Sequence, residues 1–169
     1  LELMADARRV CQNLLVRAQS AGLEGVTSAG LSDLAAISLA LGDTDAAWRI
    51  SQDILARGRH RRDNFVVHAL AIVACVAFVR ADLAQARATL RDFLDASRSR
   101  SWEWLGLYAG LLALLAAMEG RHEAAARLLG YTAQTYRTLG SHDVLAVYAW
   151  SRAHAAVEDA LEPTVLQRL

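Results

Sequence analysis

A chain of 169 residues, 54% hydrophobic and 21% charged, is long enough to bury a sizeable core and too apolar to be disordered. Eighteen basic residues, every one an arginine, balance eighteen acidic ones, so zero net charge excludes a bulk electrostatic pull toward nucleic acid or an anionic membrane. Alanine supplies about a fifth of the chain, Pro163 is its only proline, and period-two runs of β-branched residues are absent, which together predict an all-α fold.

In chain order, Leu1 to Ala21 reads as one helix with an apolar stripe at Leu3, Val10 and Leu14 and at Ala7/Ala18. Gly22, Gly25 and Gly30, with Thr27 and Ser28 between them, form the most loop-like segment. A short helix then runs from Leu31 to Leu41 and stops at Gly42; Asp43 caps the next, from about Thr44 to Arg57. The basic turn Arg57 to Arg62 follows, with Asp63 or Asn64 as cap. It reads as a solvated loop at a helix C-terminus, or as a phosphate or NTPase-module contact. The long apolar run Phe65 to Val79 continues as a helix to Arg80, breaks at Ala81-Asp82, and is followed by a helix to about Ser97. Ser97 to Ser101 reads as a second turn, and Trp102 to Glu119, Arg121 to Leu139 and Asp143 to about Leu161 as helices. Pro163 opens a last one.

The apolar runs are shorter than the roughly 18–20 residues of a membrane span. No signal peptide is visible, and Cys11 and Cys75 sit on apolar helical faces with no disulfide or metal spacing. A reducing cytoplasm fits. The chain opens on Leu1 without a methionine and stops in what reads as a helix, so a piece of a longer polypeptide is expected.

Three breaks, Gly42-Asp43, Ala81-Asp82 and Gly120-Arg121, are spaced 39 positions apart. Five residues after each stand Ala47, Ala86 and Ala125. Before each stand the pairs Leu34-Ala35, Val73-Ala74 and Leu112-Ala113, then Ile37, Val76 and Leu115. Small residues at matched positions let two helices approach closely, and neighbouring units must stack to complete the core. Units are expected at roughly 29–63, 64–101 and 102–141, with a partial one at 142–169, all within a single domain of about eight or nine helices.

This pattern resembles the tetratricopeptide (TPR) repeat, and the resemblance implies an α-solenoid of antiparallel helix pairs. The period of 39 departs from the family's 34, and the proline that ends each family unit is missing. Glu119 to Gly140, with Glu158 to Leu169, is also similar to the C-terminal helical region of large bacterial signalling ATPases that act as transcription regulators. That second resemblance implies a non-catalytic effector-sensing or protein-interaction domain of a cytoplasmic regulator. A stand-alone TPR-type scaffold or adaptor is the alternative.

No phosphate-cradling, nucleophile-elbow or zinc motif is present, so neither an enzyme nor a cofactor is expected. His122-Glu123 is expected on a solvated turn. Trp150, His154 and Glu158 share one helical face, either as a polar handle in a pocket or as a core edge with a satisfied histidine. By the TPR resemblance, the concave face carries His68, Ala71, Cys75, Phe78 and Val79 in the central unit, and Leu107, Gly110, Leu114, Ala117 and Met118 in the next. Trp104, with Trp102, Tyr108, Tyr148 and Trp150, is expected to wall it. This face is either buried by tight stacking or a groove for an amphipathic helix, a protein partner or an apolar small-molecule effector. No contact with nucleic acid or membrane is expected.

Overall fold

The computed structural model describes residues 2–58, 65–100, 102–139 and 143–162. Among them the chain is helical throughout: α1 (Glu2–Ser20), α2 (Glu24–Ala40), α3 (Thr44–Gly58), α4 (Phe65–Val79), α5 (Leu83–Arg100), α6 (Trp102–Met118), α7 (His122–Leu139) and α8 (Val144–Ala160). None of these helices is long and apolar enough to cross a membrane. The expected residues 59–64 of the basic turn, the turn at 140–142 and the helix opening at Pro163 lie outside the described residues.

The chain divides into two compact units, Leu1–Asp82 and Leu83–Leu169, and the division falls inside the segment expected as the central unit, 64–101. In the first unit each helix packs on the next, and α2 also packs on α4. In the second, α6 is the hub, packing against α5, α7 and α8, while α7 and α8 touch each other. The deepest burial follows from composition. Ten consecutive residues of α4, Ala69 to Phe78, are buried, and α6 buries nearly all of Tyr108 to Ala117, as helices that are apolar all round must.

Four helix ends, those of α1, α2, α4 and α6, are set by one repeated device. Gly22, Gly42, Ala81 and Gly120 adopt left-handed φ values of 66°, 81°, 56° and 76°. The N–H one residue later returns to a carbonyl of the helix's last turn: Leu23 to Ala18 (2.9 Å), Asp43 to Ser38 (2.9 Å), Asp82 to Ala77 (2.9 Å) and Arg121 to Ala116 (2.8 Å). This is the Schellman closure, in which the left-handed residue is glycine by preference because a Cβ is strained there. Ala81 bears that strain. Ala81→Gly is therefore expected to raise stability by about 1 kcal/mol, and Gly120→Ala to lower it by a similar amount. A Cβ at Gly120 would meet nothing within 4 Å, so its cost would be conformational alone. Urea unfolding of the two variants checks both signs, and two shifts of the same sign would refute the strain.

The matched alanines are all fully buried: Ala35, Ala74 and Ala113 before the breaks, and Ala47, Ala86 and Ala125 after them. Of their larger neighbours, Leu34, Val73, Val76 and Leu115 are buried and Ile37 and Leu112 half-buried.

Two expected loops are corrected. The Gly22–Gly30 segment is not a loop beyond its first residues, because α2 begins at Glu24 and runs through Gly25, Thr27, Ser28 and Gly30. Packing overrides propensity there. A Cβ on Gly30 would lie 3.1 Å from Leu15, so the glycine lets α1 and α2 approach, and the Cys11 thiol donates to the Gly30 carbonyl at 3.1 Å. Buried Thr27 satisfies its hydroxyl on the Leu23 carbonyl at 3.0 Å. Likewise Ser97 to Arg100 is the last turn of α5, with Ser97 buried, and no turn begins at Ser97.

Ion pairs pin several of these ends. Arg8 reaches Asp43 at 3.0 Å, and Arg80 reaches Asp45 at 2.5 Å while lying over the Trp48 ring. The Ala46 N–H, and then Arg8, hold the Asp43 carboxyl below its usual range. Glu119 accepts from both Arg87 and Arg121, and Arg87 does most to keep its carboxyl ionised, against the effect of burial.

Candidate functional site

Most of the expected concave-face residues lie inside the protein. On α4, Ala71, Cys75 and Phe78 are buried, Val79 is exposed, and half-buried His68 hydrogen-bonds through Nδ1 with the Ser32 hydroxyl of α2. On α6, Gly110, Leu114 and Ala117 are buried, Leu107 is half-buried and Met118 is exposed. Of the expected wall, Trp104 and Tyr108 pack together, while Tyr148 and Trp150 make their ring contacts on α8, with Arg152 and His154. Trp104 stacks on Tyr108 (centroids 6.0 Å apart, planes at 11°), and Phe93 meets Tyr108 edge-on at 6.1 Å. Tyr108 itself is buried and donates its hydroxyl to Asp143 at 3.1 Å. Tyr136 donates to the Leu107 carbonyl at 3.1 Å; burial first, and Asp143 second, push its phenol pKa upward.

Each unit has an opening, and of the expected face and wall residues only Trp150 lines either of them. In the first unit, α1 and α2 bound an apolar groove of about 720 Å³. Its walls include Leu3 (80% exposed), Val10 (53%) and Leu14 (55%) from α1, and Val26 (54%) from α2. The stripe Leu3-Ala7-Val10-Leu14 has a 4-3-4 spacing, which presents one face of a helix to a partner helix. A different stripe, Cys11-Leu15-Ala18, is the one buried. Thus α1 carries two apolar faces, and the unit covers only one of them. Exposed Asp33, in the groove, has no ion-pair partner among the described residues. Burial chiefly, and Asp33 secondarily, raise the Cys11 thiol pKa, so Cys11 stays a protonated packing residue.

In the second unit, α7 and α8 enclose a cleft of about 280 Å³. Ala126, Gly130 and Ala133 line it from one stripe of α7, and Trp150, His154 and Glu158 from one stripe of α8. The Trp150 and His154 rings lie 4.6 Å apart at 30°, and His154 Nδ1 is 3.0 Å from a Glu158 carboxylate oxygen. The expected i, i+4, i+8 face therefore does line an opening, and its histidine is paired. Its counterpart on α7 was not anticipated from the sequence, because a spacing of Ala, Gly and Ala has no apolar contrast to detect.

His122, expected on a solvated turn, opens α7 and is half-buried, with no hydrogen-bond partner for Nδ1 among the described residues. Among the described residues no group of three or more His, Cys, Asp or Glu is placed to hold a metal ion. No family model, curated protein or solved structure matches the chain.

Proposed function

We propose that this chain is a non-catalytic, TPR-like protein-interaction and effector-sensing domain of a bacterial cytoplasmic transcription regulator. The observation that carries the interaction role is the α1/α2 groove, where four large apolar side chains stand half or more exposed on two adjacent helices. Surfaces of this kind mark docking sites. The occupant is an amphipathic helix of a protein partner, which lays an apolar stripe into the groove and sets an Arg or Lys against Asp33. The matched Schellman breaks, the six buried alanines and the packing of α2 on α4 and of α6 on α8 support the repeat reading.

Two measurements test the proposal. Immunoblotting the source cell against this domain should give a band far above 18.3 kDa whose peptides include NTPase and DNA-binding modules. A band near 18.3 kDa would replace the regulator by the stand-alone adaptor. Val10→Asp with Leu14→Asp should release the co-purifying partner at an unchanged melting temperature, since both side chains are more than half exposed. A partner retained at wild-type yield would rule out the groove.

A further inference from the structure

We propose that the α7/α8 cleft is a binding site for a small planar aromatic compound bearing one hydroxyl or N–H donor. This names the effector class for the sensing role and rests on that reading. Three features of the cleft carry it.

The first is shape. α7 lines it with Leu129 and with three residues that carry no side chain larger than a methyl, Ala126, Gly130 and Ala133, and α8 with Val157 and the adjacent ring pair Trp150 and His154. Such an opening admits a flat ring between helix surface and aromatic faces, and its volume of about 280 Å³ suits one ring or two.

The second is Gly130. A glycine in the middle of an 18-residue helix is unfavourable and needs a reason. Elsewhere in the unit the reason is contact: a Cβ would come within 2.9 Å of Thr135 at Gly106, and within 3.3 Å of the Trp150 backbone at Gly110. At Gly130 a Cβ would meet nothing within 4 Å. Packing does not require this glycine. Gly130 is exposed and lines the cleft, so a side chain there would project into open space.

The third is the polar end. Glu158 is a carboxylate and accepts, so Nδ1 of His154 carries the hydrogen. In the neutral imidazole Nε2 is then left as an acceptor. An acceptor in a mostly apolar cleft favours a ligand with a donor, and the buried Trp150 Nε1–H, which has no hydrogen-bond partner among the described residues, favours one whose oxygen can also accept.

The experiment uses the whole chain labelled with nitrogen-15, the indole N–H signal of Trp150 (identified by its loss in Trp150→Phe), and two probes of nearly equal shape, phenol and toluene. Phenol should shift the Trp150 signal saturably. In His154→Phe the ratio of phenol to toluene affinity should fall about ten-fold, the size of one hydrogen bond. Gly130→Leu should weaken both probes about ten-fold or more while the melting temperature holds. No saturable shift with phenol, or an affinity ratio indifferent to His154→Phe, overturns the proposal. The probes report on α7 and α8 alone, whereas partner release from α1 and α2 reports on the groove, so failure of one reading is distinguishable from failure of the other.

Discussion

Asp143→Ala is expected to destabilise the second unit by about 2–4 kcal/mol, the sum of a lost helix cap and a lost hydrogen bond between a carboxylate and a buried tyrosine. Asp143 is the N-cap of α8. Its Oδ1 accepts from the Leu145 N–H at 2.9 Å and the Ala146 N–H at 3.0 Å, satisfying two donors that the helix cannot pair internally. Its other oxygen accepts from Tyr108, whose buried ring sits on α6 between Phe93 and Trp104. One side chain thus starts α8 and ties it to the hub helix. Alanine removes both functions. Asp143→Asn should cost roughly half as much, because its carbonyl oxygen still caps while its amide cannot accept from Tyr108. In a Tyr108→Phe background Asp143→Ala should cost only the cap, about 1 kcal/mol. Hydrogen exchange of α8 amides reads this locally. Equal losses in the two backgrounds would show that Asp143 and Tyr108 act independently.

The part of this architecture that the sequence makes legible is the part set by local chemistry. Near-continuous apolar runs bounded by breaks locate α4 and α6 to within a residue or so, and a glycine followed by aspartate at Gly42-Asp43 signals a helix end whose φ of 81° only glycine tolerates cheaply. Ala81 is found only by its offset from the glycine breaks, since alanine carries no turn signal of its own. Long-range packing is what escapes. Gly25, Thr27, Ser28 and Gly30 have loop composition, yet α2 passes through them, because Gly30 meets Leu15 and the Thr27 hydroxyl finds the Leu23 carbonyl. The stripe Leu3-Val10-Leu14 has the spacing of a core face and is instead a groove wall; α1 has a second apolar stripe through Cys11, Leu15 and Ala18, and periodicity cannot say which of the two α2 covers. For the same reason Trp150, His154 and Glu158 can be placed on one face from their spacing alone, while the cleft they line depends on what α7 brings to it.

Ala47→Leu and Ala125→Leu are each expected to cost about 1–3 kcal/mol, although leucine and alanine are both good helix formers. Ala47 lies in α3 and Ala125 in α7, each five residues past a left-handed break, and neither exposes any surface. α3 packs on α2 and on α4, and α7 on α6 and on α8. An isobutyl group at a fully buried methyl must displace the neighbouring helix or distort its own rotamer. Exposed alanines of comparable helices, Ala56 in α3 and Ala88 in α5, provide the control: leucine there should change stability by less than about 0.5 kcal/mol. Denaturant midpoints at constant slope give the comparison. Penalties no larger at Ala47 and Ala125 than at Ala56 and Ala88 would remove the close-approach role. The third member of the set, Ala86 in α5, makes the test bear on the proposed repeat. If these positions are one site used three times, the leucine penalty at Ala86 should match the other two. A penalty at Ala86 as small as that at Ala88, two residues away on the exposed side of α5, would mean that the 39-residue spacing places alanines without placing equivalent contacts.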